Sequence, residues 1–101
     1  MTNIVEFPSF TLKEGVAVSD FLHAHEKFNR EFVSTQKGYI SHKLLIDDDK
    51  YFDLVVWESM EDLENAFSVV NENNATIELM SLIDQIGADE DIPLFSVVKS
   101  Y

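Results

Sequence analysis

The stretch Tyr39-Ile-Ser-His-Lys-Leu-Leu-Ile46, Asp47-Asp-Asp-Lys50, Tyr51-Phe-Asp-Leu-Val-Val-Trp-Glu58 decides the fold. Two runs rich in β-branched and aromatic residues flank four charged ones, which reads as two strands joined by a polar hairpin connection. Side chains alternate along a strand, so Ile40, His42, Leu44 and Ile46 share one side of the first strand. Taken with Phe52, Leu54 and Val56 of the second, that side is expected to meet the core. The other side then carries Tyr39, Leu45, Val55 and Trp57, mixed with Lys43 and Asp53.

Helical patterns lie on both flanks. Upstream, Ser19 with Asp20 predicts an N-cap and a helix running to about Gln36. Its apolar stripe is Val18, Phe21, Leu22, Phe28, Phe32 and Val33, and Lys37-Gly38 closes it. Downstream, Ser59 with Asp62 opens a second helix on Leu63, Ala66, Phe67 and Val70. Asn71 to Asn74 interrupt that pattern. A third helix is expected from about Ala75 to Ile86, with Thr76, Leu79, Met80, Ile83 and Ile86 in line, stopping at Gly87 before an acidic loop, Ala88 to Asp91. Ile4 to Phe10, ending near Pro8, reads as the first strand and Ile92 to Tyr101 as the last.

The order β-α-β-β-α-(α)-β is the split βαβ of a ferredoxin-like α+β domain, an antiparallel sheet with helices on one face. One domain accounts for residues 1–101. The uncovered face, with Tyr39, Leu45, Val55, Trp57, Leu94 and Val98, is too apolar to be left in water. A second copy packed sheet to sheet is the simplest cover, so a homodimer is expected.

Composition narrows the partners. The chain has 101 residues, with 7 Lys and Arg against 19 Asp and Glu, a net charge of −12. Residues 47–101 hold fourteen of the acids and two of the bases. Nucleic acid and anionic membranes repel such a surface. Cysteine is absent, which excludes disulfides, thiolate nucleophiles and Cys-ligated metal. No apolar run approaches the roughly 20 residues that cross a bilayer. MTNIVEFPSF lacks the charged start and apolar stretch of a signal peptide, so a cytoplasmic protein is expected.

Three segments carry a resemblance: Phe10-Thr-Leu-Lys-Glu-Gly15, Lys37-Gly-Tyr-Ile-Ser41, and Val55-Val-Trp-Glu-Ser59 followed by a helix. In that order they resemble the antibiotic biosynthesis monooxygenase (ABM) domain superfamily over nearly the whole chain. The resemblance implies a dimeric α/β barrel with a pocket between sheet and helices in each subunit. Some members oxidise polycyclic aromatic substrates with O₂ and no metal or flavin, some degrade heme, and many have no known activity. Heme-degrading members carry an Asn in the first strand where this chain has Pro8. They carry a second Trp where it has Phe67, and a third-helix His where residues 71–91 hold none. A heme-degrading reading thus loses its ligand and its pocket residues.

Two histidines fall on apolar faces, His25 between Leu22 and Phe28 and His42 between Ile40 and Leu44. Imidazole titrates near neutral pH, so the pair is suited to polarise or deprotonate a phenolic substrate; bonded to backbone, each would be a core histidine. His23 lies about 200° around the helix from His25, which rules out a two-ligand metal face. Trp57 could stack on a planar substrate or donate its N–H to a carbonyl, or serve in packing. Strict alternation sets it opposite the His42 face, so a shared pocket would need a bulge. Phe28, Tyr51 and Phe67 are the candidate substrate-contacting residues. Asp47-Asp48-Asp49 reads as a solvated turn, and no metal site is expected. Two functions follow as expectations: an oxygenase without cofactor acting on an aromatic or quinol-like molecule, with His25, His42 and Trp57 as its catalytic groups, or a non-catalytic domain binding an apolar small molecule.

Overall fold

The structure, a computed structural model, describes residues 2–85 and 92–101. It is an α+β domain with an antiparallel sheet and helices packed on one face. The central hairpin is β3 (Tyr39–Asp47) and β4 (Lys50–Trp57). Its turn contains two residues, Asp48 and Asp49, because Asp47 pairs with Lys50, and Asp48 takes φ 60° as a tight hairpin turn requires.

That turn sets the faces. With Asp47 opposite Lys50, even-numbered residues of β3 face odd-numbered residues of β4: His42 pairs with Val55 and Leu44 with Asp53. The expected side assignment is therefore corrected. Tyr51, Asp53, Val55 and Trp57 are the buried residues under the helices, whereas Phe52, Leu54 and Val56 occupy the open face with Leu45. A register shift between Tyr39 and Ser41 returns Tyr39 to the helix side, opposite Trp57.

The first strand is broken at Pro8 into β1 (Ile4–Glu6) and β2 (Ser9–Leu12). Both halves pair with β4, and the Pro8 carbonyl accepts from the Asp53 N–H between them (3.1 Å), so the break costs little of the ladder. Helix α1 spans Val18–Glu31, shorter than expected, and a 3₁₀ turn follows at Val33–Thr35. Ala17, not Ser19, stands at the N-cap. Phe21, Ala24, His25, Phe32 and Val33 are buried, while Val18 and Leu22 are about half exposed, so the stripe is narrower than its apolar count. Helix α2 (Met60–Val69) is capped as expected, Ser59 Oγ accepting from the Asp62 N–H at 3.1 Å.

The third helix, α3, stops at Met80 (Asn74–Met80). Ile83–Gln85 forms β5 instead and pairs with β2. Leu79 and Ile83 stand four apart in sequence, a helical spacing, but ladder bonds to an open strand edge outweigh it. The stop at Gly87 and the acidic loop Ala88 to Asp91 lie outside the described residues, as does Ile86. The last strand, β6, is confined to Leu94–Ser96 and pairs with β1. Glu6 pairs with Leu94, which moves Leu94 from the open face to the helix side. Among the described residues no helix is long and apolar enough to cross a membrane.

Candidate functional site

The buried face of β4 reads Tyr51, Asp53, Val55, Trp57: a carboxylate stands where the alternation calls for a core residue. It divides the interior in two. Tyr51 packs with Phe10, Phe21, Ala24, Leu79 and Ile83; Val55 and Trp57 pack with Ile4, Phe32, Leu63 and Ala66. A buried charge needs partners. Asp53 finds two on one oxygen: the Nε2 atoms of His25 (2.6 Å) and His42 (2.8 Å) both bond Oδ1.

Geometry explains the convergence. His25 and Asn29 are one helical turn apart on α1, so both project to the same part of the sheet. His42 on β3 lies beside β4 and reaches both: Nε2 meets Asp53, and Nδ1 hydrogen-bonds the Asn29 side-chain Oδ1 at 2.9 Å. The two imidazole rings lie 5.0 Å apart between centroids, flanked by Phe21 and Phe28. Burial pushes the Asp53 carboxyl up. Hydrogen bonds from His25 and then His42, with their charge, outweigh that and hold it below the ordinary carboxylate range.

A second carboxyl behaves oppositely. Glu6, on the same side of the sheet, accepts from the Trp57 indole N–H at 3.1 Å. Burial raises its pKa; the Trp57 bond offsets part of the rise, the Asp53 charge adds to it, and His42 opposes it. Trp57 thus shares the His42 side, because β4 alternates the other way from the expectation rather than because a bulge turns it.

Three cavities open around these carboxyls. One of about 80 Å³ is walled by Glu6, Phe28, Asp53, Trp57 and Phe67. A second, about 110 Å³, shares Glu6, Phe28, Asp53 and Phe67 and extends under α3 to Thr76. The largest, about 350 Å³, lies toward β6 between Glu6, Leu63, Phe67 and Leu94. Glu6 and Phe67 border all three. The buried Thr76 hydroxyl has no hydrogen-bond partner among the described residues.

Of the sequence candidates, Trp57, Phe28 and Phe67 are therefore brought to one cavity wall. His25 and His42 stand behind it: among the described residues neither lines these cavities, and Asp53 intervenes. Tyr51 does not line them either; it is buried between Phe10 and Phe21, ring centroids 5.7 and 4.8 Å away. Glu6, Asn29 and Asp53 were missed. Asp53 had a signal, an acid inside Tyr-Phe-Asp-Leu-Val-Val-Trp, once the hairpin parity is read from its two-residue turn. Asn29 had only its i+4 spacing from His25, and Glu6 had none. As a ligand set, His25, His42 and Asp53 offer two imidazole nitrogens and a carboxylate oxygen within 4.8 Å of one another, a combination that suits zinc or non-heme iron.

No protein-family model and no curated protein matches the sequence. Solved structures do. The chain superposes on SnoaB, a cofactor-independent oxygenase from Streptomyces nogalater, with a TM-score of 0.77 at 18% identity, covering 99% of this chain and 97% of that one. A candidate antibiotic biosynthesis monooxygenase from Chloroflexus aurantiacus J-10-fl gives a TM-score of 0.72 at 15% identity, over 98% and 96% of the two chains. One from Bordetella bronchiseptica gives 0.72 at 14% over the full length of both. The fold is that of the ABM proteins.

Proposed function

We propose that the protein is an oxygenase that acts without metal or flavin on an electron-rich aromatic or quinol-like small molecule bound between sheet and helices. The observation that supports it best is one apolar cavity wall carrying two carboxyls of opposite character. Asp53 is kept ionised by two buried histidines, and Glu6 is shifted up by burial. Of two such carboxyls, the one shifted up holds a proton more readily, and the one held down keeps a fixed negative charge beside it. In such chemistry a deprotonated phenol is itself the reductant of O₂, so the protein need supply only an apolar space, a place for the proton and access for O₂.

The chain's residues fill those roles. Trp57, Phe28 and Phe67 offer flat apolar surface to a planar ring. Thr76 lies at the far end of the second cavity. His25 and His42 act through Asp53, as positioning residues that hold its charge at the wall, and Asn29 holds His42. The open face of the sheet, with Phe52, Leu54 and Val56, is proposed as the contact between two copies. The cysteine-free acidic chain suits a cytoplasmic location.

Incubation with a panel of naphthols and anthrone-type compounds, with and without O₂, tests the reading. O₂ uptake that depends on the protein is expected; no O₂-dependent turnover with any compound overturns it. One observation favours the alternative, a binding domain. Oδ1 of Asp53 and both ring nitrogens of His42 are already engaged within the protein, and the two cavities that Asp53 lines are only about 80 and 110 Å³. Saturable binding of the same compounds without O₂ uptake selects that alternative.

A further inference from the structure

We infer that Glu6 is the group that takes the proton from a bound phenol, with the Trp57 indole N–H holding its carboxylate in place. The inference rests on the cavity being a site for phenolic ligands, and it identifies the proton acceptor there.

The buried aspartate and the two histidines behind it already hydrogen-bond one another. Asp53 accepts from two imidazoles on one oxygen, which stabilises its anion and weakens it as a base. Both ring nitrogens of His42 face protein oxygens, and the Nε2 of His25 is committed to Asp53. Glu6 borders all three cavities. Its one side-chain hydrogen bond among the described residues is at Oε1, from Trp57, leaving Oε2 for a ligand. An indole N–H is a neutral donor: it fixes the carboxylate without cancelling its charge, as a cation would. Among the described residues, the titratable groups facing Glu6 are Asp53 from β4 and His42 from β3, with Glu64 of α2 at the edge of the larger cavity. Burial beside Asp53 makes the Glu6 carboxylate a stronger base than an exposed one.

In the step itself the phenolic O–H bond breaks, its electron pair stays on the substrate oxygen, and the proton bonds to Glu6; nothing is oxidised. In the oxygenase cycle the phenolate then reduces O₂. One oxygen atom remains on the attacked ring carbon as a carbonyl. The other leaves as water, with the phenolic proton released from Glu6 and the hydrogen of that carbon.

4-Nitrophenol tests this apart from oxygenation, because it is too electron-poor to be oxidised and its anion is yellow. At a pH where the free probe is mostly protonated, saturating wild-type protein is expected to raise the phenolate fraction several-fold. Glu6→Gln is expected to leave it at the level of the free probe, with the far-ultraviolet circular dichroism of the wild type. In the wild type an infrared C=O band of a protonated carboxyl must grow as the yellow anion forms. A wild type without the yellow band, a Glu6→Gln chain with the same band, or an absent infrared carboxyl signal overturns the assignment, the last even if the variant does not fold. A positive result with no turnover of naphthols or anthrones removes the oxygenase and leaves Glu6 as the proton acceptor.

Discussion

Asp53 ties together the buried polar cluster, its Oδ1 meeting both His25 and His42. Removing the acceptor of two buried hydrogen bonds leaves both imidazoles unsatisfied, so Asp53→Ala is expected to destabilise the fold by about 3 kcal/mol, read from urea unfolding. The two carboxyls also give opposite pH dependences. Asp53 has its pKa lowered from 3.8, so its contribution to stability is present above that value and lost as pH falls through the lower folded one. Glu6 is raised from 4.5, so its contribution is full below 4.5 and lost as pH rises through the raised value. From these two groups alone, stability is greatest in the mildly acidic range. Glu6→Gln should flatten the decline on the neutral side and leave the acid limb intact; calorimetric melting across that range checks it, and an unchanged neutral side contradicts it.

At the scale of elements, the β3–β4 turn and Gly38 do the placing. A two-residue turn fixes which β4 residues lie under the helices, because a shift of one residue exchanges the faces of the whole strand. One residue inserted between Asp48 and Asp49 is therefore expected to abolish cooperative unfolding, since it would direct Phe52 and Leu54 inward and Asp53 and Trp57 outward. Gly38 lies at φ +85°, where its carbonyl accepts from the Glu58 N–H and an added Cβ would collide with the Asp62 side chain. Gly15 has the same φ with open space around it. Gly38→Ala should cost about 2 kcal/mol or more and Gly15→Ala about 1 kcal/mol. Equal costs in denaturant titrations would show that the Asp62 contact is irrelevant.

For the molecule as a whole, the uncovered sheet face governs assembly. Val5 pairs with Val56 and with Phe95, and Phe7 stacks on Phe52 at 5.1 Å, forming an apolar layer across three strands. A chain of this length buries only about two-thirds of its unfolded surface, so added burial is worth much to it. A dimer at micromolar concentration is expected in sedimentation, and Leu54→Asp is expected to give a folded monomer. A wild type that sediments as a monomer ends the sheet-face proposal, while the cavities, which lie on the helix side within one chain, are unaffected.

Local pattern was enough for the three helical regions, the hairpin and the Ser59 cap, since each depends on residues near one another in the chain, and their order implied the antiparallel sheet with helices on one face. It also placed His25 and His42 inside the sheet–helix space. It did not reveal what they bond, because Asp53 is 28 residues from His25 and 11 from His42. It likewise missed β5, where ladder bonds to β2 overrode a helical spacing, and the partnership of Glu6 with Trp57, 51 residues apart. Periodicity reports which side of an element is apolar. Which polar groups meet across the core depends on strand register and helix rotation, and only the folded chain sets those.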